Sequence, residues 1–593
     1  MRTSRFLRTI ASKSRICRGD ELDLGSSDLG IYINGIAVGT DPSQAIGFVM
    51  SGADDVVRTD GQITVAVTDL GANANALIDI AGTLESRPSV PPPLPNEPMG
   101  PTNTVSLAAN NGRVRIRSTA VLRAGAHEEG LVHITANGFD DNDAGTIWFG
   151  GTADASSATA AGGTVKLLAD RVALIDEARI DVSGETGGGE ALIGGNYQGK
   201  GPEQNALYTY VGEDATINAD AVESGDGGRV IVWADDTTRF YGEITAAGGA
   251  GTGDGGFVEV SGKGVLQYRG NVDTRAVNGE TGTLLLDPQN IIIDDSGTDT
   301  VADNDQFTEN SSGTSTISSV DLEAALDGSN ITLQAHDDIT VNDPVDTTAN
   351  TSTGNLTLEA GDDVSMGAAA GISLLTGSTL TIIAGSGGAT PVAPDGTADV
   401  TLSSAVSADD ISITAAGSVS VVDVTANVSN ISITVDSDNT GTDTLTVAGT
   451  MSATSGATTF TGGTDSNDVL TGSAGADAFA ITSTDTGTLN GDSFSQFAGL
   501  DGGSGADTFT FNNAGNLSAS IVGGAGDDTI TGDTGGNTFS VTGTNTGTLA
   551  GKPPDGRALK IWWAVAATMR SRLFRAARCR ARSTGARRRR RIR

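Results

Sequence analysis

Acidic residues that follow glycine-rich turns are the residues of this sequence whose type and spacing could do chemistry. The nine-residue pattern G-G-x-G-x-D-x-U-x, in which U is a large apolar residue, is matched throughout by residues 502–510 and 523–531. Residues 472–480 match it with Ser473 in the second place, and residues 532–540 match it with Asn537 in place of the aspartate. Because carboxylate oxygens are hard ligands, the chemistry that this pattern favours is the binding of a hard cation.

The pattern resembles the hemolysin-type calcium-binding repeats, and this resemblance implies candidate metal ligands. In that family the aspartate and the loop carbonyl groups bind Ca²⁺ between stacked turns of a β-roll, with loops about 18 residues apart. Here the candidates form two pairs, Asp468 with Asp477 and Asp528 with Asn537, and Asp507 stands alone. The alternative is that these residues form turns of a further β-solenoid without metal. Asp468, Asp477, Asp507 and Asp528 are the predicted calcium ligands, and the sequence offers candidates for no other cofactor.

The remaining polar residues suggest no catalytic arrangement. His127, His133 and His336 are scattered along the sequence and are expected at the surface or at sheet edges. The acidic pairs at 337–338 and 362–363 recur at equivalent repeat positions, which favours a solvated corner over a catalytic pair.

An enzyme is nevertheless the competing class of protein. Parallel β-helices also carry polysaccharide lyases and hydrolases, which use carboxylates and often a basic group in a surface groove. No Lys or Arg occurs between Arg275 and Lys552, and no non-repeated cluster of polar residues is visible. The sequence therefore favours a non-enzymatic protein over a β-helical lyase or hydrolase.

Short repeats indicate the elements that must position these residues. Gly-Gly turns at 162–163, 227–228 and 255–256 each open a short strand, and a second strand begins 15 or 16 residues after the first glycine. Residues 356–365 match residues 331–340 at a period of 25, and residues 411–420 repeat the pattern again. Repeats of this length, with two or three short strands and no helices, predict an all-β fold, a right-handed parallel β-helix. A β-sandwich array is the alternative after residue 300.

The last third of the acidic body repeats at a longer period. Residues 468–472 recur as 528–532 and residues 479–491 recur as 539–551, both at a period of 60. Together with the nine-residue pattern, this predicts further β-repeats of β-roll type after the β-helix.

Composition excludes several classes of protein. The chain of 593 residues carries 36 Lys and Arg against 73 Asp and Glu, for a net charge of -37, so it lacks the basic face that nucleic-acid binding requires. The basic residues concentrate in residues 1–18 and 551–593. The two cysteines, Cys17 and Cys579, lie in these basic ends, so the body has no disulfide framework. No apolar stretch of the sequence approaches the roughly 18 residues that a membrane span requires.

One long region resembles a known family. Residues 190–249, with GDGGFVEVSGKG and GTLLLDPQNIIID after them, closely resemble the repeats of filamentous haemagglutinin-like exoproteins of the two-partner secretion pathway, over roughly residues 112–295. The resemblance implies a non-enzymatic β-helical adhesin, secreted or held at the outer membrane of a bacterium. It also implies export of the full-length protein through an outer-membrane barrel transporter and attachment to a host cell, a neighbouring cell or a glycan. A structural surface or matrix protein with calcium-stabilised repeats is a further alternative.

The ends of the chain differ from that family. The family's secretion domain contains Asn-Pro motifs after a long signal peptide, but no Asn-Pro dipeptide and no apolar signal segment occur here. The chain is therefore expected to be an internal fragment of a longer protein. The single-codon residues Trp562, Trp563 and Met569 allow a shifted frame to be reconstructed that restores the Gly-Gly-Asp-Asp repeat, so the basic tail is predicted to be a frameshift product.

Six segments are expected. They are a basic leader without native structure at 1–20, an irregular β segment at 21–104 with a Pro-rich linker at 88–101, the haemagglutinin-type β-helix at 105–300, Thr/Ser/Asp-rich β-repeats at 301–461, the 60-residue repeats at 462–550, and a disordered basic tail at 551–593.

Overall fold

The computed structural model describes backbone and side chains for residues 56–58, 62–67, 77–86, 103–125, 130–138, 145–295, 314–385, 398–464, 467–512 and 514–532, and for the single residues 50, 53, 54 and 307. Outside these residues it describes the backbone of single strands. The fold is almost entirely β, and long parallel sheets of many strands form a β-solenoid, which confirms the predicted fold class.

The chain divides into two compact units. Unit 1 comprises residues 1–362, 369–381 and 386–393, and unit 2 comprises residues 363–368, 382–385 and 394–593. The strand Thr379–Ala384 contains a point of division. The six segment boundaries expected from the sequence stay predictions.

Three sheets build most of unit 1, and each coil up to the strand Asn271–Asp273 contributes a strand to each. The first sheet contains Phe6–Thr9, Leu29–Asn34, Ile63–Thr68, Thr104–Asn110, Leu131–Asn137, Thr164–Ala169, Glu190–Ile193, Arg229–Ala234, Phe257–Gly262, Thr283–Leu286, Asn330–Ala335 and Leu356–Ala360. The second contains Ser14–Ile16, Ile46–Met50, Ala76–Ile80, Gly112–Ile116, Thr146–Phe149, Arg171–Leu174, Tyr208–Val211, Thr237–Phe240, Val265–Tyr268, Ile291–Ile293, Ser315–Ile317 and Ile339–Val341. The third contains Glu21–Asp23, Val56–Thr59, Thr83–Ser86, Val121–Ala124, Thr152–Asp154, Arg179–Asp181, Thr216–Asn218, Glu243–Thr245 and Asn271–Asp273.

Short elements complete unit 1. The strands Val345–Asp346 and Ile372–Ser373 pair in parallel in a further sheet. A 3₁₀-helix spans Tyr197–Gly199 and an α-helix spans Ser319–Leu326. The expectation of repeats without helices is wrong at this α-helix, where Leu322, Ala325 and Leu326 follow helical spacing and are buried.

Unit 2 continues with parallel strands in three groups. The first comprises Asp410–Ala415, Ile431–Thr434, Thr458–Thr461, Ala478–Ser483, Thr486–Leu489, Asp492–Ser495, Thr508–Phe511, Asp528–Thr531 and Lys560–Trp563. The second comprises Val364–Met366, Val400–Leu402, Val419–Val421, Thr444–Val447, Val469–Thr471, Gly499–Asp501, Ile521–Val522, Thr538–Gly543 and Thr546–Ala550. The third comprises Val406–Ala408, Val424–Ala426 and Met451–Ala453. Because most of these strands pair in parallel with the next coil, unit 2 is not a β-sandwich array.

Inward side chains of successive coils stack into a continuous apolar core. In the first sheet of unit 1 one such column runs through residues that are all at most 1% exposed: Val105, Val132, Val165, Ala191, Val230, Val258, Leu284, Ile331 and Leu356. Full burial of a Val, Leu or Ile side chain stabilises a fold by roughly 1.5–3 kcal/mol, and every coil contributes several. The 25-residue period is confirmed, since Ile331 lies opposite Leu356.

The predicted Gly-Gly turns form one corner of the unit 1 coil. A Cβ built on Gly256 would lie 2.2 Å from the carbonyl oxygen of Gly228, and one built on Gly228 would lie 2.2 Å from that of Gly189. The same close approach recurs one coil before and one coil after. A Cβ built on Gly189 would lie 2.1 Å from the carbonyl oxygen of Gly163, and one built on Gly282 would lie 2.1 Å from that of Gly256. Glycine is required here because adjacent coils approach too closely for any side chain.

The 60-residue period of unit 2 corresponds to a β-hairpin. Ala478–Ser483 pairs antiparallel with Thr486–Leu489, and Thr538–Gly543 pairs antiparallel with Thr546–Ala550. Both hairpins share one register, with Phe479 opposite Leu489 and Phe539 opposite Leu549. The period was read correctly from the sequence, but the antiparallel hairpin inside it was not.

The ends of the chain fall largely outside the described residues. The strand Lys560–Trp563 lies antiparallel to Asp528–Thr531. The predictions for the rest of the tail, for the linker at 88–101 and for the connections within residues 1–45 concern residues that the structure does not describe. Among the described residues no helix has the length and apolar character needed to cross a membrane.

Candidate functional site

Three of the four predicted calcium ligands lie in one column of unit 2. The backbone N–H of Asp477 donates to Oδ1 of Asp507 over 2.7 Å, and the backbone N–H of Asp507 donates to Oδ1 of Asp528 over 3.0 Å. The glycine-rich loops before these residues stack as well, since Ser504 pairs with Ala525. Asp507 is therefore the middle member of a stack, and the expectation that it stands alone is wrong. The loops stack at spacings of 30 and 21 residues because each coil here is longer than a β-roll coil.

In two members of this column, Asp507 and Asp528, the second carboxylate oxygen is buried without a partner among the described residues, whereas Oδ2 of Asp477 accepts the backbone N–H of Ser473 over 2.7 Å. Asp507 and Asp528 are 0% exposed, and the Oδ2 atom of each accepts no hydrogen bond from any residue that the structure describes. Desolvation raises the pKa of Asp507 to about 6, and the charge of Asp528 adds to the effect. Burial likewise raises the pKa of Asp528. A buried acceptor without a donor is costly, and a cation would satisfy it, so the donor set fits a hard metal ion.

Asp468 lies in a different cluster from Asp477, so the predicted pairing of these two residues is wrong. Asp468 precedes the strand Val469–Thr471, whereas Asp477 precedes a strand of another sheet. Oδ1 of Asp468 accepts the backbone N–H of Asp443 over 3.0 Å. The carboxylates of Asp436, Asp443 and Asp468 are all buried, with one oxygen of each within 4.8 Å of the others. Burial raises the pKa of Asp443, and the charge of Asp468 contributes.

Sequence reasoning missed Asp436 and Asp443, because neither lies in the nine-residue pattern. One feature of the sequence could have indicated Asp436: a pair of glycines that the approach of its carboxylate requires. Asp436 has a positive φ of 51°, and a Cβ built on Gly463 would lie 1.7 Å from its Oδ2. The sequence Thr461-Gly462-Gly463-Thr464 shows the glycines that this approach requires.

A segment that we call the strap, residues 194–207, covers the outward face of the first sheet in unit 1. Leu192, Ile231 and Trp233 form an apolar cluster on that face, and Phe257 packs against them. The strap follows Leu192 directly, and Cβ atoms built on its Gly195 and Gly199 would lie 2.7 and 2.6 Å from the Trp233 ring. The glycines thus allow the strap backbone to lie on the indole.

Two carboxyl groups are buried near Gln198, which lies in the first half of the strap. Glu259 and Asp287 are 0% and 3% exposed. The backbone N–H of Gln198 lies 3.1 Å from both carboxylate oxygens of Glu259. Desolvation raises the pKa of Glu259 to about 8, and desolvation raises that of Asp287 to about 7. Sequence reasoning missed this pair, because Glu259 occupies an ordinary outward position in a strand.

A second polar set anchors the strap to the sheet. Glu203 accepts hydrogen bonds from Nζ of Lys166 over 3.0 Å and from Nδ2 of Asn196 over 2.8 Å. Oδ1 of Asn196 accepts the backbone N–H of Tyr197 over 2.7 Å and Nη2 of Arg229 over 3.1 Å. The side chains of Lys166, Glu203, Asn196 and Arg229 thus form one hydrogen-bond network.

An open groove runs along the Gly-Gly corner of unit 1. It has a volume of about 740 Å³ and crosses the coils that begin near residues 162, 188, 227, 255 and 282. Carboxylates of Glu190, Asp226, Asp254 and Glu280 line it together with Arg229. The ring of Phe257 lies at its edge, 5.7 Å from that of Tyr197.

The acidic pairs lie apart from these sites, but both histidines that the structure describes lie beside one: His133 is opposite Lys166 in the pairing of Leu131–Asn137 with Thr164–Ala169. His133 is outward on its strand, and burial lowers its pKa. His336 approaches the buried pair, with its Nε2 3.8 Å from Asp287. The 337–338 and 362–363 pairs stack at one corner, since the N–H of Asp362 donates to the Asp337 carbonyl oxygen. His127 lies outside the described residues.

Comparison with known proteins gives no relative. No protein-family model matches the chain, and no curated protein matches it. The resemblance to filamentous haemagglutinin-like exoproteins and to hemolysin-type repeats therefore stays a prediction.

Proposed function

We propose that this chain is a segment of a non-enzymatic bacterial exoprotein that mediates attachment through the surface of its β-solenoid. The observation that carries the proposal is the open groove along the Gly-Gly corner, which crosses successive coils and suits an extended ligand such as a glycan chain. The partner is a host cell, a neighbouring cell or a glycan at the bacterial surface. Export of the full-length protein by an outer-membrane barrel transporter belongs to the same proposal.

The burial of Glu259 and Asp287 weighs against this pair as the catalytic carboxyl groups of a lyase or hydrolase. Glycoside cleavage needs two carboxyl groups that reach the scissile bond from the surface. The described pair with strongly raised pKa values, Glu259 and Asp287, is at most 3% exposed and lies beside the strap. A polysaccharide has no access to these carboxyl groups while the strap is closed.

Binding of the purified chain to glycan arrays and to cells tests the attachment proposal. We expect binding that falls at least several-fold in the groove variant Glu280→Arg and is unchanged in Glu213→Arg, a matched change at an exposed site away from the groove. An unrelated protein of similar net charge controls for non-specific effects. Binding to none of the surfaces would favour a purely structural matrix role, and depolymerisation of a glycan would favour the enzyme.

We propose further that unit 2 binds Ca²⁺ at the Asp477, Asp507 and Asp528 column. The support is the pair of buried Oδ2 atoms on Asp507 and Asp528, which a hard cation would satisfy together with nearby carbonyl oxygens. The buried cluster of Asp436, Asp443 and Asp468 has oxygen ligands of the same kind.

Calorimetric titration and thermal unfolding in Ca²⁺ test this second proposal. We expect heat of binding and a rise in Tm for the natural chain, because a ligand that binds only the folded state stabilises it. The double variant Asp507→Asn/Asp528→Asn should lose most of this rise. Asp527→Asn is the matched control, since it removes a neighbouring but exposed carboxylate. No heat and no change in Tm at millimolar Ca²⁺ would reject the proposal.

A further inference from the structure

The anchor of the strap has the composition of an acyl-transfer site. Lys166 supplies an amine, Asn196 supplies a carboxamide, and Glu203 lies between them with one oxygen on each nitrogen. Nucleophile and electrophile belong to different elements, since Lys166 lies in the strand Thr164–Ala169 and Asn196 lies in the strap. An amine, a base and an activated carbonyl within hydrogen-bonding reach are the parts that amide formation requires.

The carbonyl group of Asn196 is polarised by two donors. The backbone N–H of Tyr197 and the guanidinium of Arg229 both donate to Oδ1, over 2.7 and 3.1 Å. Donors in this position stabilise the negative charge that develops on the oxygen when a nucleophile attacks Cγ. Arg229 is held in turn by Glu190 over 2.8 Å and lies over the ring of Tyr197.

We propose that Lys166 and Asn196 form an intramolecular isopeptide bond, with Glu203 as the proton-transferring catalytic residue. Nζ of Lys166 gives a proton to Glu203 and attacks Cγ of Asn196. Glu203 passes this proton to Nδ2, the Cγ–Nδ2 bond breaks and ammonia departs. Glu203 then takes the second proton from Nζ and passes it to the ammonia, which leaves as an ammonium ion. The Lys166 ammonium and the Asn196 carboxamide thus become one secondary amide and one ammonium ion, and no oxidant or other reactant is consumed.

The environment of Glu203 suits this role. Its hydrogen bonds to Asn196 and then to Lys166 lower its pKa, so at neutral pH the carboxylate is ionised and holds both reacting nitrogen atoms in place, whereas proton transfer to it from the Lys166 ammonium is unfavourable and slow. The side chains of Lys166 and Glu203 are 25% and 13% exposed, which limits competition from water. A low rate is sufficient, because each molecule reacts once and the released ammonia escapes.

The cross-link would fasten the strap over the apolar cluster of Leu192, Ile231 and Trp233. Without it the strap is held by hydrogen bonds and packing alone. The isopeptide bond would keep the outward face of the first sheet covered when mechanical force or proteases act on the solenoid.

Mass spectrometry of the purified full chain tests the proposal. We expect an intact mass lower than the sequence mass by one ammonia. Tryptic digestion should leave Lys166 uncut and yield residues 124–171 joined to residues 180–200 as one branched peptide. Fragmentation of that peptide places the bond at Lys166 and Asn196.

Three variants separate this reaction from other losses of ammonia. Glu203→Gln and Lys166→Arg should both have the full sequence mass and give only linear peptides. Lys200→Arg is the matched control and should retain the cross-link, because Nζ of Lys200 donates to the amide oxygen of Gln198 and not to Glu203. Succinimide formation at an Asn-Gly sequence also lowers the intact mass by one ammonia, but that mass loss would persist in Lys166→Arg. A natural chain of full mass with linear peptides on both sides would overturn the proposal, even if a variant failed to fold.

Discussion

Glu259 is a carboxyl group held out of water under a backbone N–H of the strap. Its folded pKa of about 8 lies above its ordinary value of 4.5, and desolvation is the main cause. Asp287 raises this pKa further, whereas the contacts with Gln198, Ser261 and Arg229 lower it. A group of this kind favours the folded state below its ordinary pKa, and that contribution is lost as the pH rises toward 8.

Glu259→Gln should therefore flatten the pH dependence of strap closure. The amide keeps an oxygen for the N–H of Gln198 but cannot ionise. From about pH 5 to about pH 9 we expect the natural strap to lose on the order of 3–5 kcal/mol of closing free energy, and the variant to lose much less. Hydrogen exchange of residues 194–207, corrected for intrinsic rates, measures this free energy. Glu280→Gln, at an exposed site, is the control, and a variant slope equal to the natural one would contradict the prediction.

Single residues differ in how far the sequence reveals them. Asp507 and Asp528 were found because a nine-residue pattern fixes their loop, although the pattern did not show which loops stack. Asp436 and Asp443 were missed because their proximity to Asp468 arises from coils of unequal length. Glu259 was missed because strand alternation identifies an outward position but not whether a distant strap covers it.

The glycine corner sets the stacking distance of the coils, so it should tolerate no side chain. Gly256→Ala would place a Cβ 2.2 Å from the carbonyl oxygen of Gly228, inside the main chain of the neighbouring coil. We expect a loss of at least about 1–3 kcal/mol, the usual cost of overpacking. Chemical denaturation followed by circular dichroism measures the loss.

Gly212→Ala is the matched control for that substitution. Its Cβ would lie 3.3 Å from the nearest atom, the carbonyl oxygen of Leu174, and its backbone is not left-handed. A much smaller effect is expected there. Equal losses at both positions would show that general glycine replacement, and not the corner, is responsible.

Strands were predicted well where glycine marks their start and poorly where all side chains are buried. The strands after the Gly-Gly turns at 162–163, 227–228 and 255–256 begin where the sequence indicates. Thr237–Phe240 and Val265–Tyr268 were not predicted, because every residue in them is buried and no alternation remains. The strap was invisible for a related reason. It lengthens one coil to 39 residues, and repeat matching treats such an insertion as a gap.

Charge is distributed differently in the two units. Unit 1 contains ion pairs such as Arg58 with Glu85, Lys166 with Glu203 and Arg229 with Glu190. Residues 276–551, which include all residues of unit 2 whose side chains the structure describes, contain no Lys or Arg. Acidic residues are in excess in unit 1 as well, since residues 1–362 hold 53 Asp and Glu against 21 Lys and Arg. Salt therefore screens repulsion between carboxylates in both units, but in unit 1 it also screens the attraction within these ion pairs.

Added NaCl should raise the unfolding temperature of unit 2 more than that of unit 1. From about 0.01 M to about 0.15 M salt the screening length falls from about 30 Å to about 8 Å, which removes most of the repulsion between exposed carboxylates of different coils. Differential scanning calorimetry should resolve two transitions, of which the transition of unit 2 shifts further upward with salt. The double variant Asp507→Asn/Asp528→Asn identifies the transition of unit 2, because these substitutions should shift only the transition temperature of the unit that contains them.

Ca²⁺ at matched ionic strength should raise the transition temperature of unit 2 further than NaCl does, since binding adds to screening. A single transition, or two that shift equally with salt, would show that the charge asymmetry does not govern stability.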